Sequence, residues 1–178
     1  MEDILKTLES GGDQQKIEVL ETLQNTNNLK ILQQIIFRLN DDSIQVRGEA
    51  FNALLLNQNE ITKILINNLD SSNKNIKGFT SLLLANRNEK SAIPKIIKIV
   101  NNEHGMVRSC AIGALGYLKA EKITDIILKA LSDPNLEVQK SALQAAIQTN
   151  IFLPEEKIKE ISKKNDQQIK NLLLKLKK

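Results

Sequence analysis

Val100–Leu115 reads VNNEHGMVRSCAIGAL, and three other stretches lie over it column by column. They are LNDDSIQVRGEAFNAL (Leu39–Leu54), LDSSNKNIKGFTSLLL (Leu69–Leu84) and LSDPNLEVQKSALQAA (Leu131–Ala146). Their first residues step by 30, 31 and 31 positions. A β-branched column holds Val46, Ile76, Val107 and Val138, and a small one holds Ala50, Thr80, Ala111 and Ala142. A further apolar column holds Leu54, Leu84, Leu115 and Ala146. A basic column of Arg47, Lys77 and Arg108 is broken by Gln139. Such a period marks stacked structural repeats, each too small to bury its own apolar face.

Each repeat reads as two helices. Ile35, Ile36 and Leu39, like Ile96, Ile97 and Val100, have helical spacing in the first; Val46, Ala50 and Leu54 have it in the second. Between the helices lies a polar turn with the column Gly12, Ser43, Asn73, His104, Asn135 and Asp166. Ser, Asn and Asp there are preferred N-caps, because their oxygens satisfy orphan backbone N–H groups. Leu8, Val19 and Leu23 fit one repeat earlier, and Ile161, Ile169, Leu173 and Leu176 one later. The expectation is one domain over 1–178 with repeats at about 1–26, 27–57, 58–87, 88–118, 119–149 and 150–178, the first and last being atypical caps.

AIPKIIKIV (Ala92–Val100) with MVRSCAIGALGYL (Met106–Leu118), and ILKALSDPNLEVQKSALQAA (Ile127–Ala146), resemble HEAT-like repeats of the phycobilin-lyase type. The resemblance covers residues 28–149 and weakens at both ends. It implies an all-α fold, a right-handed α-solenoid of about six HEAT-like helix pairs. First helices would line its convex side and second helices its concave side.

Composition agrees. Aromatic residues are only 3% of the chain, so a core has to be built from Ile, Leu, Val and Ala. Asn-Gly and Asp-Gly hairpin signals are absent. The start, MEDILKTL, lacks the features of a secretory leader, and no apolar run approaches the roughly 20 residues that span a bilayer. No membrane role is expected. A single cysteine forms no internal disulfide, which fits a reducing cytoplasm. Of the net charge of +4, residues 1–154 contribute nothing, with 17 basic and 17 acidic side chains; residues 155–178 carry 8 and 4. A Lys-rich final helix reads as a solvated cap.

Enzyme chemistry finds little to stand on. Cys110 and His104 tempt one to see a nucleophile and its base, but six helical residues turn about 600°, leaving them about 120° apart around the axis. His104 falls in the capping column. A single histidine excludes the paired His-Glu sites of HEAT-like hydroxylases and the usual zinc sets. Phosphate-binding loops are missing, since Gly105, Gly113 and Gly116 match no such motif. No cofactor, metal or catalytic residue is expected.

The family geometry puts on the concave face Glu49, Asn52 and Leu56; then Phe79, Leu82 and Asn86; then Met106, Cys110 and Tyr117; then Lys140 and Gln144. Met106, Cys110, Gly113 and Tyr117 are spaced 4, 3 and 4, one helical stripe. Gly48, Gly78 and Gly113 each weaken a helix, as if something approached there. In the family the basic column forms a ladder with turn acids of adjacent repeats, a role for which Asp41 and Asp133 are placed. The leading reading is a non-enzymatic scaffold, monomer or weak dimer, holding a protein partner's helix or peptide in its concave groove. The alternatives are nucleic-acid binding through basic helix ends and the C-terminal helix, which the sparse groove charge opposes, and an accessory subunit of a lyase or DNA-glycosylase-like enzyme.

Overall fold

The computed structural model describes residues 1–176. Its described residues form helices joined by turns, with no strand. The α-helices are α1 (Glu2–Ser10), α2 (Asp13–Thr22), α3 (Leu29–Arg38), α4 (Ile44–Leu56), α5 (Thr62–Asn68) and α6 (Lys74–Asn86). Then follow α7 (Ile93–Ile99), α8 (Gly105–Tyr117), α9 (Thr124–Ala130), α10 (Leu136–Thr149), α11 (Glu155–Ser162) and α12 (Gln167–Leu176). A 3-10 turn, Lys90–Ala92, leads into α7, whose Pro94 sits in the first turn where no N–H is missed. The chain gathers into two compact units, Met1–Leu83 and Leu84–Lys178, divided within α6.

In the first unit α1 packs on α2 and on α3, and α4 receives both α2 and α3. In the second, α8 packs on α7 and on α10, and α10 also receives α9 and α12. First helices thus touch first helices and second helices touch second helices, as stacking requires. All twelve residues of the β-branched, small and apolar columns are buried. None of the four Phe or the Tyr is among the buried core residues. The interior is therefore aliphatic, and small side chains let helices close on each other. At Gly116 a Cβ would lie 2.6 Å from the Cα of Ala145, so α8 and α10 meet there almost backbone to backbone. At Gly48 and Gly113 a Cβ would meet nothing within 4 Å. Neither glycine is needed for packing within the chain.

The turns repeat one device. Two residues before each cap, a side chain accepts the cap's N–H: Asp41 from Ser43 (3.1 Å), Ser71 from Asn73 (3.1 Å), Asn102 from His104 (3.0 Å) and Asp133 from Asn135 (2.8 Å). Ser43, Asn73, Asn135 and Asp166 then accept N–H groups of the helix that follows. His104 holds the cap position but makes no side-chain cap bond. An imidazole has no hydroxyl or carbonyl oxygen to fold back on the first turn, and its Nε2 instead lies 3.4 Å from Glu103 Oε1. Three second helices end on residues 31 apart, Asn88, Lys119 and Asn150, each in the left-handed region with φ of 51–57°. The N–H after each bonds back to Leu84, Leu115 or Ala146, closing the helix end.

Cations on three second helices each reach the carboxylate of the next turn. Arg108 donates two bonds of 2.7 Å from Nε and Nη2 to the Asp133 carboxylate, and its Nη1 holds the carbonyls of Asn102 and Glu103. Lys16 pairs with Asp41 at 2.9 Å and Lys140 with Asp166 at 3.0 Å, again from one second helix to the next turn. Arg47, like Arg108, holds the carbonyls of its own turn, here those of Asp41 and Asp42. Gln139 does the same for the Asp133 carbonyl at 2.6 Å. At the broken column, then, Gln139 keeps the carbonyl bond and its neighbour Lys140 takes the ion pair.

Burial alone would push the Asp133 carboxyl up. The Arg108 bonds and the Asn135 N–H outweigh it, and the group titrates below the ordinary carboxylate range. A depressed folded value stabilises above the unfolded value, about 4, and that contribution is lost as pH falls through the folded value. Asp133→Asn is expected to cost about 1–3 kcal/mol at pH 7. Its melting temperature, followed by circular dichroism, should also fall less than the wild type's on acidification below about pH 4. Gly116→Ala is expected to destabilise by about 1–3 kcal/mol through overpacking on α10. Gly113→Ala should stabilise by up to about 1 kcal/mol. Urea unfolding of both variants checks the contrast.

Candidate partner-binding surface

Every residue of the expected binding set stands on a second helix, and none is buried. On α4, Asn52 and Leu56 are exposed and Glu49 is half-buried. Ile44, 73% exposed, extends the same row through the open Gly48, so spacings of four run from Ile44 to Leu56. On α6, Phe79 and Leu82 are half-buried and Asn86 is exposed. On α8, Met106 and Cys110 are half-buried, Gly113 faces open space and Tyr117 is 53% exposed. On α10, Lys140 and Gln144 are half-buried.

Within the second unit α8 and α10 lie side by side, joined by a polar seam. Ser109 Oγ is 2.9 Å from Ser141 Oγ, and the Ser109 hydroxyl also donates to the Glu137 carbonyl. The α8 stripe and the α10 residues therefore share one surface, apolar on one side of the seam and polar on the other. Lys140 is engaged by Glu137 at 2.9 Å and Asp166 at 3.0 Å, and these partners raise its pKa. Its work is at least partly structural, which the break at Gln139 concealed in the sequence.

Concave pockets lie elsewhere. One cleft in the first unit runs between α3 and α5, with Leu29, Leu32, Ile61 and Ile64 as its apolar lining. One in the second unit lies between the turn at 100–102, α8 and α9, beside the Arg108–Asp133 pair. Neither includes a residue of the expected set. Exposed apolar side chains that the column pattern did not single out include Leu29 (69%), Phe152 (85%) and Leu174 (65%). Phe152 falls in the connection before α11, where no helical spacing marks it. Among the described residues no group of three or more His, Cys, Asp or Glu is arranged to hold a metal, and no helix is long and apolar enough to cross a membrane.

Residues 62–149 match the family described as HEAT repeats. No curated protein matches the chain's sequence. Solved structures of like fold include an engineered protein, at 16% identity and TM-score 0.59 over 98% of this chain and 94% of that one. A designed armadillo repeat protein in complex with the peptide (KR)4 aligns at 17% identity and TM-score 0.54, over 98% and 96%. The complex of CpcE and CpcF of phycocyanin lyase from Nostoc sp. aligns at 19% identity and TM-score 0.62, over 96% and 73%. At these identities the likeness is one of fold. Residues 62–149 thus carry HEAT-like repeats, and the fold is that of an α-solenoid of helix pairs.

The environment of Cys110 bears on its chemistry. Burial pushes its thiol up to about 11, away from the thiolate a nucleophile needs. Against the ordinary value of 9.0, this lowers the thiolate fraction near pH 8 about 100-fold. Alkylation by iodoacetamide at that pH, followed by mass spectrometry, is expected to be about 100-fold slower in the folded chain than in guanidinium.

Proposed function

We propose that the chain is a non-enzymatic protein-interaction scaffold whose second-helix faces hold a helix or peptide of a partner protein. The observation that carries this is the run Met106, Cys110, Gly113 and Tyr117 on α8, apolar yet at least partly open to solvent along three turns. Core and turn bonds account for the other rows of that helix, and no stability argument asks for an apolar row here. In the first unit Ile44 and Leu56 give α4 a second, sparser row. The designed armadillo protein solved with a bound peptide supports a peptide ligand for this class of fold. The phycocyanin lyase likeness supports an alternative as an accessory enzyme subunit less well, because no residue on these faces is set up as nucleophile or base.

Aromatic and Met anchors in partly desolvated rows carry most of the energy of such interfaces. The tagged chain is therefore expected to retain a protein from the lysate of its own cells that Tyr117→Asp, or Met106→Asp, retains about 30-fold less well, a loss of about 2 kcal/mol. Glu156→Lys on α11 should retain it unchanged. Equal retention by wild type and by both α8 variants, with folding verified by circular dichroism, would overturn the reading.

A further inference from the structure

In stacked repeats each helix pair covers its neighbour, and among the described residues nothing covers the outer faces of α1–α2 and α11–α12. In this chain those two faces carry opposite charge. Residues 1–22 hold six carboxylates, Glu2, Asp3, Glu9, Asp13, Glu18 and Glu21, against two lysines. All six are exposed, and none has a cationic partner among the described residues. Of the two lysines, Lys16 is already spent on Asp41.

The last pair is the reverse. Residues 155–178 hold eight lysines and four carboxylates. Asp166 is taken by Lys140, Glu160 by Lys157 and Glu155 by Lys159, and among the described residues Glu156 has no cationic partner. Lys163, Lys164, Lys170 and Lys175 are exposed and have no carboxylate partner among the described residues. Leu174, 65% exposed, stands among them on α12. A cap needs only to be polar to keep a solenoid soluble. Balanced charges would serve, so faces of opposite net charge ask for another cause.

We infer that the occupant of each face is a second copy of this chain, the acidic α1–α2 face of one copy meeting the basic α11–α12 face of the next. The contact is heterologous, and heterologous contacts that do not close on themselves add copies without limit. Exposed ion pairs are weak and salt-sensitive, so association should be rapid, shallow and screened by salt. A nucleic acid would also suit the lysines, but it leaves the acidic face unexplained.

Sedimentation velocity on the full chain tests this. At about 10 mM salt, where exposed charges act over about 30 Å, the average mass is expected to rise continuously with protein concentration rather than level off at a dimer. At about 1 M salt, where the range is about 3 Å, it should return to the monomer. Two variants give the sharper test: Lys163→Glu, Lys164→Glu, Lys170→Glu and Lys175→Glu together, and Glu9→Lys, Glu18→Lys and Glu21→Lys together. Each alone should stay monomeric at low salt, since both of its faces then share one sign. Mixed, they should associate about tenfold or more strongly than either alone, because the faces again complement each other. The inference fails if the wild type stays monomeric at low salt, or if the mixed variants associate no better than each alone. A gel shift of a short DNA duplex, abolished by the lysine reversals while the wild type sediments as a monomer, would assign the basic face to nucleic acid and likewise overturn it.

Discussion

An interior without a single aromatic ring sets the terms for this protein. Aliphatic side chains fill less space than rings, so burying enough surface requires many helices at short range. The small column answers that need: Ala50, Ala111 and Ala142 are fully buried, and at Gly116 the approach is closer than any side chain would allow. Thr80 holds the same column with its hydroxyl buried and without a hydrogen-bond partner. Size has been kept there at the cost of an unsatisfied polar atom, which shows that volume outranks polarity in this row.

Close packing fixes distances between helices but does not orient the turns that join them. That falls to the cations. In Arg108 one side chain grips the carbonyls of its own turn and the carboxylate of the next. In α10 the same two bonds are divided between Gln139 and Lys140, while Arg47 makes the bond to its own turn's carbonyls and Lys16 the one to the next turn's carboxylate. What recurs is the pair of bonds, while the residue supplying each varies. Charge is essential only for the carboxylate. An amide serves the carbonyl as well, which is why a Gln can interrupt the basic column without interrupting the structure.

That distinction separates what the sequence discloses from what it hides. Columns with one physical demand are legible: Val46, Ile76, Val107 and Val138 must be apolar and of one size, and all are buried. Caps are legible where a short side chain carries an accepting oxygen, as in Ser43 and Asn135, and misleading at His104, where position and chemistry disagree. Demands that several residue types can meet are illegible. Lys16 lies in the ladder but precedes the recognisable repeats, and Lys140 acts from one place beyond its column. The glycines of α8 show the limit most plainly. Gly113 and Gly116 are three residues apart on one helix, yet one faces open space and the other a neighbouring backbone. Composition and spacing cannot tell them apart, because the difference lies in where another helix passes.

The binding surface is legible only by subtraction. On α8, Val107, Ala111, Ala114 and Leu115 are consumed by the core, Arg108 by the turns and Ser109 by the seam with α10. The row Met106, Cys110, Gly113 and Tyr117 is what the fold leaves free. On α10 the corresponding freedom is smaller, because Lys140 is drawn into the ladder and Ser141 into the seam, leaving Gln144. The architecture thus constrains two of three rows on each second helix and is indifferent to the third. A row to which the fold is indifferent should drift toward polar residues that keep it soluble. An apolar, aromatic-tipped row on α8 departs from that drift, and contact with something outside the fold explains the departure.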